Sequence, residues 1–320
     1  MPTIEQTNHF FDFAARQLRN LIETHPDQFP MYTTGGKWDF SGESWTNWCE
    51  GFLGGQLWLL YEKTGDQYWR EKAEHYSRLI EPRKTDRTVH DLGFLFWPTW
   101  KRWYDLTGDP TKNAVVIEAG RTMALRFKEK GQYLRSFLAE DSLFIDIMMN
   151  VGIVFYAAQE TSDPELMRIA TQHCLTTRKY LVRGDGSTAH EGIFDLETGE
   201  FLRQSTQQGW RSDSSWARGL AWAIYGFSNA YRMTNDIRFL QTAEQCARFY
   251  MLRTPLNGVP PNDWDEPNPA LPYESSAAAI AAGGFLNLSE LVEDMDSSNQ
   301  YLGYAKHILN TLLMPEFLAD

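Results

Sequence analysis

Cysteine is scarce in this 320-residue chain. Cys49, Cys174 and Cys246 are odd in number and far apart, and no CxxC occurs. That excludes a disulfide framework and a thiolate zinc cluster, and it fits reduced thiols in a cytoplasmic protein. Excess positive charge is also lacking. A net charge of -12 disfavours nucleic acid and anionic lipid as partners, because both demand a basic footprint. A small acidic ligand stays compatible, since one or two placed arginines in a closed pocket outweigh a distant negative surface. No apolar run approaches the roughly 18 residues of a membrane span. The opening "MPTIEQTNHFFDFAARQLRN" has no basic segment leading into an apolar one, so no signal peptide is expected. No Pro/Gly/Ser-rich linker divides the chain, and a single domain over 1–320 is expected. Strand-like alternation is confined to short pieces around 188–204.

Aromatic residues are abundant. Trp38, Trp45, Trp48, Trp58, Trp69, Trp97, Trp100 and Trp103 all fall in the first third. Core packing accounts for such a cluster, and so does a carbohydrate site, because flat apolar sugar faces stack on indole rings.

One turn recurs. "KTGDQYW" at 63, "LTGDPTK" at 106, "ETSDPEL" at 160 and "MTNDIRF" at 233 each end an apolar helix and open the next on an aspartate. Gly and Asn tolerate the left-handed conformation that ends helices, and Asp caps the free amides of a helix start. Pro110 and Pro164 suit the first helical position. A looser version is "EDMDSSNQY" from Glu293. These turns predict helix pairs at 45–63 with 66–80, 91–106 with 110–128, 141–160 with 163–181, 214–232 with 236–252, and 275–291 with 297–313. A lone helix at 4–23 precedes them. The first member of each pair is apolar all round and the second on one side, as expected of inner and outer helices. Their alternation predicts an all-α, (α/α) toroid. Eleven major helices then leave the sixth pair incomplete, with a substrate cleft open on that side.

The long connections lie at the starts of the inner helices, and function is expected there. His90 and Asp91 open one inner helix. Asp91 suits a plain N-cap as well as a reactive carboxylate. Asp146, in "LFIDIMMNV", is read as lying within an apolar helix. Burial there favours the protonated carboxyl and fits it to donate a proton; a bond to backbone or to Asn150 is the structural alternative. "STAHEGIFD" adds His190, and "STQQGWRSDSSWARGLAWAIYGF" adds Gln208, Arg218 and Trp222. Arg218 and Trp222 share a helix face, so one can pair with a carboxylate while the other stacks on a sugar ring.

With "WCEGFLGGQLWLLYEKTGD", "HDLGF", "IDIMMN", "HEGIFDLETGEFLRQSTQQGW", "SSWARGLAWAIYGF" and "LPYESSAAAIAA" in order, the chain resembles glycoside hydrolase family 88, the unsaturated glucuronyl hydrolases. The resemblance implies an (α/α)6 barrel that removes a 4,5-unsaturated uronic acid from lyase-generated oligosaccharides. It assigns Asp146 as general acid and base and Asp91 as the second essential carboxylate. It places Trp48, His90, Phe137, His190, Gln208, Arg218 and Trp222 at the substrate. No metal or cofactor is implied, and the expected partner is a small acidic oligosaccharide, bound by a monomer or weak homo-oligomer. Family members often have Trp where Phe137 stands and Gln where Leu220 stands, and their "RGxTxQG" is "RQSTQQG" here, with Gln204 replacing glycine. These departures bear on the pocket wall and on substrate preference. The competing readings are family 105, the unsaturated rhamnogalacturonyl hydrolases, and a glycan-binding barrel without turnover.

Overall fold

The computed structural model describes residues 2–41, 44–267 and 273–318; the Trp45 side chain and residues Leu271 and Pro272 fall outside this description. Helices run in chain order as α1 (Ile4–Thr24), α2 (Glu50–Thr64), α3 (Gln67–Ile80), α4 (Leu92–Phe96), α5 (Arg102–Thr107) and α6 (Pro110–Ala124). They continue as α7 (Ile147–Asn150), α8 (Gly152–Thr161), α9 (Pro164–Leu181), α10 (Ala217–Thr234), α11 (Ile237–Arg253), α12 (Ser275–Leu291) and α13 (Met295–Leu312). The eleven helical segments expected are all present among the described residues, two of them broken. The chain forms two compact units. One comprises Ile4–Arg126 and Ile153–Leu166; the other comprises Met1–Thr3, Phe127–Gly152 and Met167–Asp320.

The recurring turn is built from the same bonds each time. Gly65, Gly108, Ser162 and Asn235 all take positive φ, between 51° and 70°. The threonine before each returns its hydroxyl to the carbonyl four residues back: Thr64 to Leu60, Thr107 to Trp103, Thr161 to Ala157 and Thr234 to Ala230. The aspartate after each accepts from the second amide of the new helix, at 2.9–3.0 Å. The looser fifth turn keeps only the cap, Asp294 accepting from Ser297 N at 2.9 Å.

In the first unit, α2 carries Gly51, Gly54 and Gly55, which let the following segment approach closely. A methyl group at Gly51 would lie 2.1 Å from the Phe94 carbonyl oxygen, and one at Gly55 would lie 2.7 Å from Pro98 Cβ. The expected helix 91–106 is broken. Pro98 has no N–H to give, and Trp97–Lys101 widens into a π-helical turn between α4 and α5.

The second unit holds a three-stranded antiparallel sheet, β5 (Ser142–Phe144), β6 (Glu191–Phe194) and β7 (Phe201–Ser205), in that order. Short hairpins β1–β2 (Tyr32–Thr34, Lys37–Asp39) and β3–β4 (Phe127–Lys128, Tyr133–Leu134) lie elsewhere in the chain. Strand β5 corrects the expected helix 141–160. Residues 142–144 pair with β6, so Asp146 opens a helix and does not lie inside one. The buried run that follows is helical and packs tightly. A methyl at Gly226 of α10 would lie 2.5 Å from the Met148 carbonyl of α7.

Candidate active site

Asp91 and Asp146 both occupy helix N-cap positions, and neither side chain makes the capping bond. The contrast with the turn aspartates is sharp, because those all cap. Both candidates are also buried, at 5% and 6% exposure, whereas Asp66 is exposed. Helix capping therefore does not explain either carboxylate.

In the first unit, His90 Nε2 lies 3.3 Å from Asp91 Oδ1, and the His90 side chain is almost fully buried. Phe94, one turn further along α4, packs against Trp48 and Phe52 at ring-centroid distances of 5.3 and 5.7 Å. Trp48 is half-buried on the short 3-10 helix Ser44–Cys49 that leads into α2. Trp48, His90 and Asp91 are thus gathered around the start of α4.

In the second unit, the pairing of β5 with β6 brings Asp146 to His190. The Ile145 N–H donates to the His190 carbonyl at 2.9 Å, and His190 Nε2 lies 3.5 Å from Asp146 Oδ1. The two atoms are close enough to couple electrostatically, but no hydrogen bond forms, and both are buried without a hydrogen-bond partner. Asn150 donates to the Asp146 backbone carbonyl at 3.3 Å. His190 Nδ1 accepts from the backbone N–H groups of Gln207 and Gln208, at 3.0 and 3.2 Å. Backbone amides can only donate, so Nδ1 must keep its lone pair and the ring proton sits on Nε2, the nitrogen beside Asp146.

The other expected residues join this cluster by contact. Gln208 Oε1 accepts from Arg218 at 2.9 Å. The guanidinium lies 4.6 Å from the Trp216 ring centroid and 5.6 Å from that of Trp222. Phe137 meets Phe144 edge-on at 6.0 Å, and Phe144 in turn meets the His190 ring at 4.6 Å. Arg218 is already paired: its Nη1 donates to Glu274 Oε1 at 2.8 Å, and its Nε is buried without a partner. Trp222 is only 3% exposed. Two departures from the family pattern have their own places in the packing. Leu220 is wholly buried in α10, and Gln204 is held by Arg183 and the Tyr180 carbonyl.

Sequence reasoning passed over Glu191, Trp216, Glu274 and Asp263. Glu191 directly follows His190, and Glu274 lies in "LPYESS", so both stood inside quoted motifs. Asp263 offered no signal. Its buried carboxylate accepts from Trp210 N and Ser214 Oγ, at 3.0 and 2.6 Å, and so fixes the loop that carries Gln208.

The family model for Glycosyl Hydrolase Family 88 matches residues 20–254. The chain belongs to glycoside hydrolase family 88. It is 32% identical over 307 residues to the unsaturated glucuronyl hydrolase of Bacillus sp. (strain GL1), a match covering 92% of this chain and 80% of that one. A solved unsaturated glucuronyl hydrolase specific for heparin is similar at TM-score 0.91 and 30% identity, over 98% of this chain and 85% of that one. An Asp-to-Asn variant of the Streptococcus agalactiae enzyme, complexed with dGlcA-GalNAc6S, is similar at TM-score 0.80 and 27% identity, over 96% of this chain and 78% of that one. The fold class is theirs, all-α and of the (α/α)6 barrel type, as expected. Family membership makes the chain a glycoside hydrolase and sets aside both competing readings. Among the described residues no helix is long and apolar enough to cross a membrane.

Proposed function

We propose that this family 88 hydrolase removes a 4,5-unsaturated uronic acid from the non-reducing end of short glycosaminoglycan-type oligosaccharides, with Asp146 as general acid and base. The observation that carries the assignment is the Asp146 carboxyl, buried, not capping its helix, and facing a histidine whose tautomer is fixed. Such a group is spent on no structural task. A carboxyl left free in this way is available to deliver a proton to carbon.

The substrate's double bond belongs to a vinyl ether. The protonated Asp146 gives its proton to C4, and the resulting cation at C5 is stabilised by the ring oxygen. Asp146, now a carboxylate, takes a proton from the water that attacks C5. The hemiketal formed at C5 opens, freeing the ring oxygen as a hydroxyl on C1. C1 then carries both that hydroxyl and the linkage to the rest of the sugar chain, and it collapses to the aldehyde as the chain leaves. The His190 Nε2–H steadies the carboxylate form of Asp146 between its two proton transfers. Asp91, with His90 beside it, holds ring hydroxyls and assists the proton acceptor. Trp48 and Phe137 supply aromatic surface, with Trp222 backing the Arg218 guanidinium, and Gln208 and Arg218, the latter shared with Glu274, supply polar contacts to the uronate. The carboxylate spacing that separates inverting from retaining glycosidases carries no stereochemical message for this addition.

Cys49, Cys174 and Cys246 form no disulfide, and the last two are deeply buried. Reduced thiols fit a reducing compartment, and we place the enzyme in the cytoplasm on that ground. The test of the activity is a panel of lyase-made disaccharides. The ultraviolet absorbance of the conjugated double bond should fall on addition of enzyme, and saturated glucuronides should be untouched. Turnover of a saturated glucuronide at a comparable rate would overturn the reading.

A further inference from the structure

Glu191 is a buried carboxylate with no part in the chemistry above. It is 1% exposed and sits in β6, opposite Phe144 of β5. Its Oε1 accepts from Ser142 Oγ at 2.5 Å, and its Oε2 accepts from the Gln207 side-chain amide at 3.0 Å. Ser142 is itself held by the Ser136 hydroxyl at 2.8 Å. One end of this arrangement is therefore rigid sheet, and the other is an exposed loop residue.

Gln207 is the connection between that sheet and the site. Its side chain is tied to Glu191, while its backbone N–H, with that of Gln208, points at His190 Nδ1. We propose that Glu191 is a positioning residue. Acting through the Gln207 side chain, it holds the 207–208 backbone so that His190 keeps its proton on Nε2, beside Asp146.

The physical reason for a carboxylate here is the freedom of an exposed glutamine. Glutamine loses more rotamer entropy on immobilisation than most side chains, and a neutral hydrogen bond barely offsets that loss. A charge-assisted bond is about twice as strong and does offset it. A sheet-borne carboxylate is therefore suited to fix a solvent-exposed loop residue, where a neutral acceptor would leave it mobile. The proposal rests on the reading of Asp146 as the proton donor only for its effect on rate. The tautomer it fixes is a property of the free enzyme.

The test uses Gln207→Ala, which truncates an exposed side chain, and Glu191→Gln, which keeps shape and hydrogen-bonding capacity. Nitrogen-15 NMR of histidine-labelled enzyme reports the tautomer of His190, assigned by the signal lost in His190→Gln. The unmutated enzyme should show the proton on Nε2. Gln207→Ala should show mixed tautomers, an unchanged melting temperature, and a kcat lowered by about tenfold with KM within about twofold. Glu191→Gln should fall between the two. A Gln207→Ala enzyme with an unmixed Nε2 tautomer and full kcat would overturn the proposal. Should the unmutated enzyme itself fail to act on unsaturated disaccharides, the proposed function is refuted, and the NMR arm still decides the positioning role.

Discussion

Capping and catalysis can be separated by two substitutions at helix starts. Asp66 accepts the Tyr68 amide at 2.9 Å and caps α3; Asp91 stands at the same position of α4 and makes no such bond. Replacing a capping aspartate with alanine costs about 1 kcal/mol, within a range of roughly 0.5–2. For a chain of this length that lowers the melting temperature by roughly 1–2 °C. Asp66→Ala should show that drop and keep full kcat, because the α2–α3 turn is a generic one. Asp91→Asn should do the reverse. No cap is lost, and the asparagine oxygen still stands in reach of His90, now 3.3 Å from the carboxylate. Asparagine keeps the size of the side chain and an acceptor oxygen, so the fold should be retained with at most a small change in melting temperature. Activity should fall by about a hundredfold or more, the scale of an acid-base group. The assay is a thermal melt beside initial rates on an unsaturated disaccharide. An Asp91→Asn enzyme that keeps its kcat would refute the reasoning and return Asp91 to helix capping, a role asparagine fills nearly as well as aspartate.

Two further outcomes follow from packing and burial. His173 is fully buried, which holds it in the neutral form and pushes its pKa from the ordinary 6.5 down to about 3. The unfolded chain therefore binds a proton that the folded one refuses. The stability from this residue is complete above about pH 6.5 and is lost as pH falls, by about 2 kcal/mol between pH 7 and pH 5. Denaturant midpoints against pH should lose that slope in His173→Gln. Gly226→Ala would press a methyl against the Met148 backbone of α7, at 2.5 Å, and should cost about 1–3 kcal/mol. Because α7 begins beside Asp146, kcat should drop as well; a Gly226→Ala enzyme of unchanged stability and rate would show that this contact relaxes freely.

Much of the architecture was legible because the turn chemistry repeats. Thr-Gly/Ser/Asn-Asp encodes a returned hydroxyl, a left-handed residue and a cap, and the structure makes those bonds at 64–66, 107–109, 161–163 and 234–236. Strand β5 was not legible. Three apolar-flanked residues leading into a buried helix have the same hydrophobic signature as the helix itself. That ambiguity puts Asp146 inside a helix on sequence grounds and conceals the strand pairing that sets it beside His190. The π-helical turn at Pro98 was readable in principle, since proline cannot continue the i to i−4 ladder. The spacing of Arg218 from Trp222 suggests a cation available to a ligand carboxylate. Its partner Glu274 is 56 residues away in sequence, and no local pattern predicts a pairing at that range.

Asp146→Asn decides the central claim. Asparagine keeps the size of the side chain, and the aspartate makes no capping bond that could be lost. The folded variant should bind an unsaturated disaccharide while the double-bond absorbance stays constant, with kcat reduced by about a thousandfold or more. A folded Asp146→Asn enzyme that bleaches that absorbance at close to the unmutated rate would contradict the assignment of this carboxyl as the proton donor.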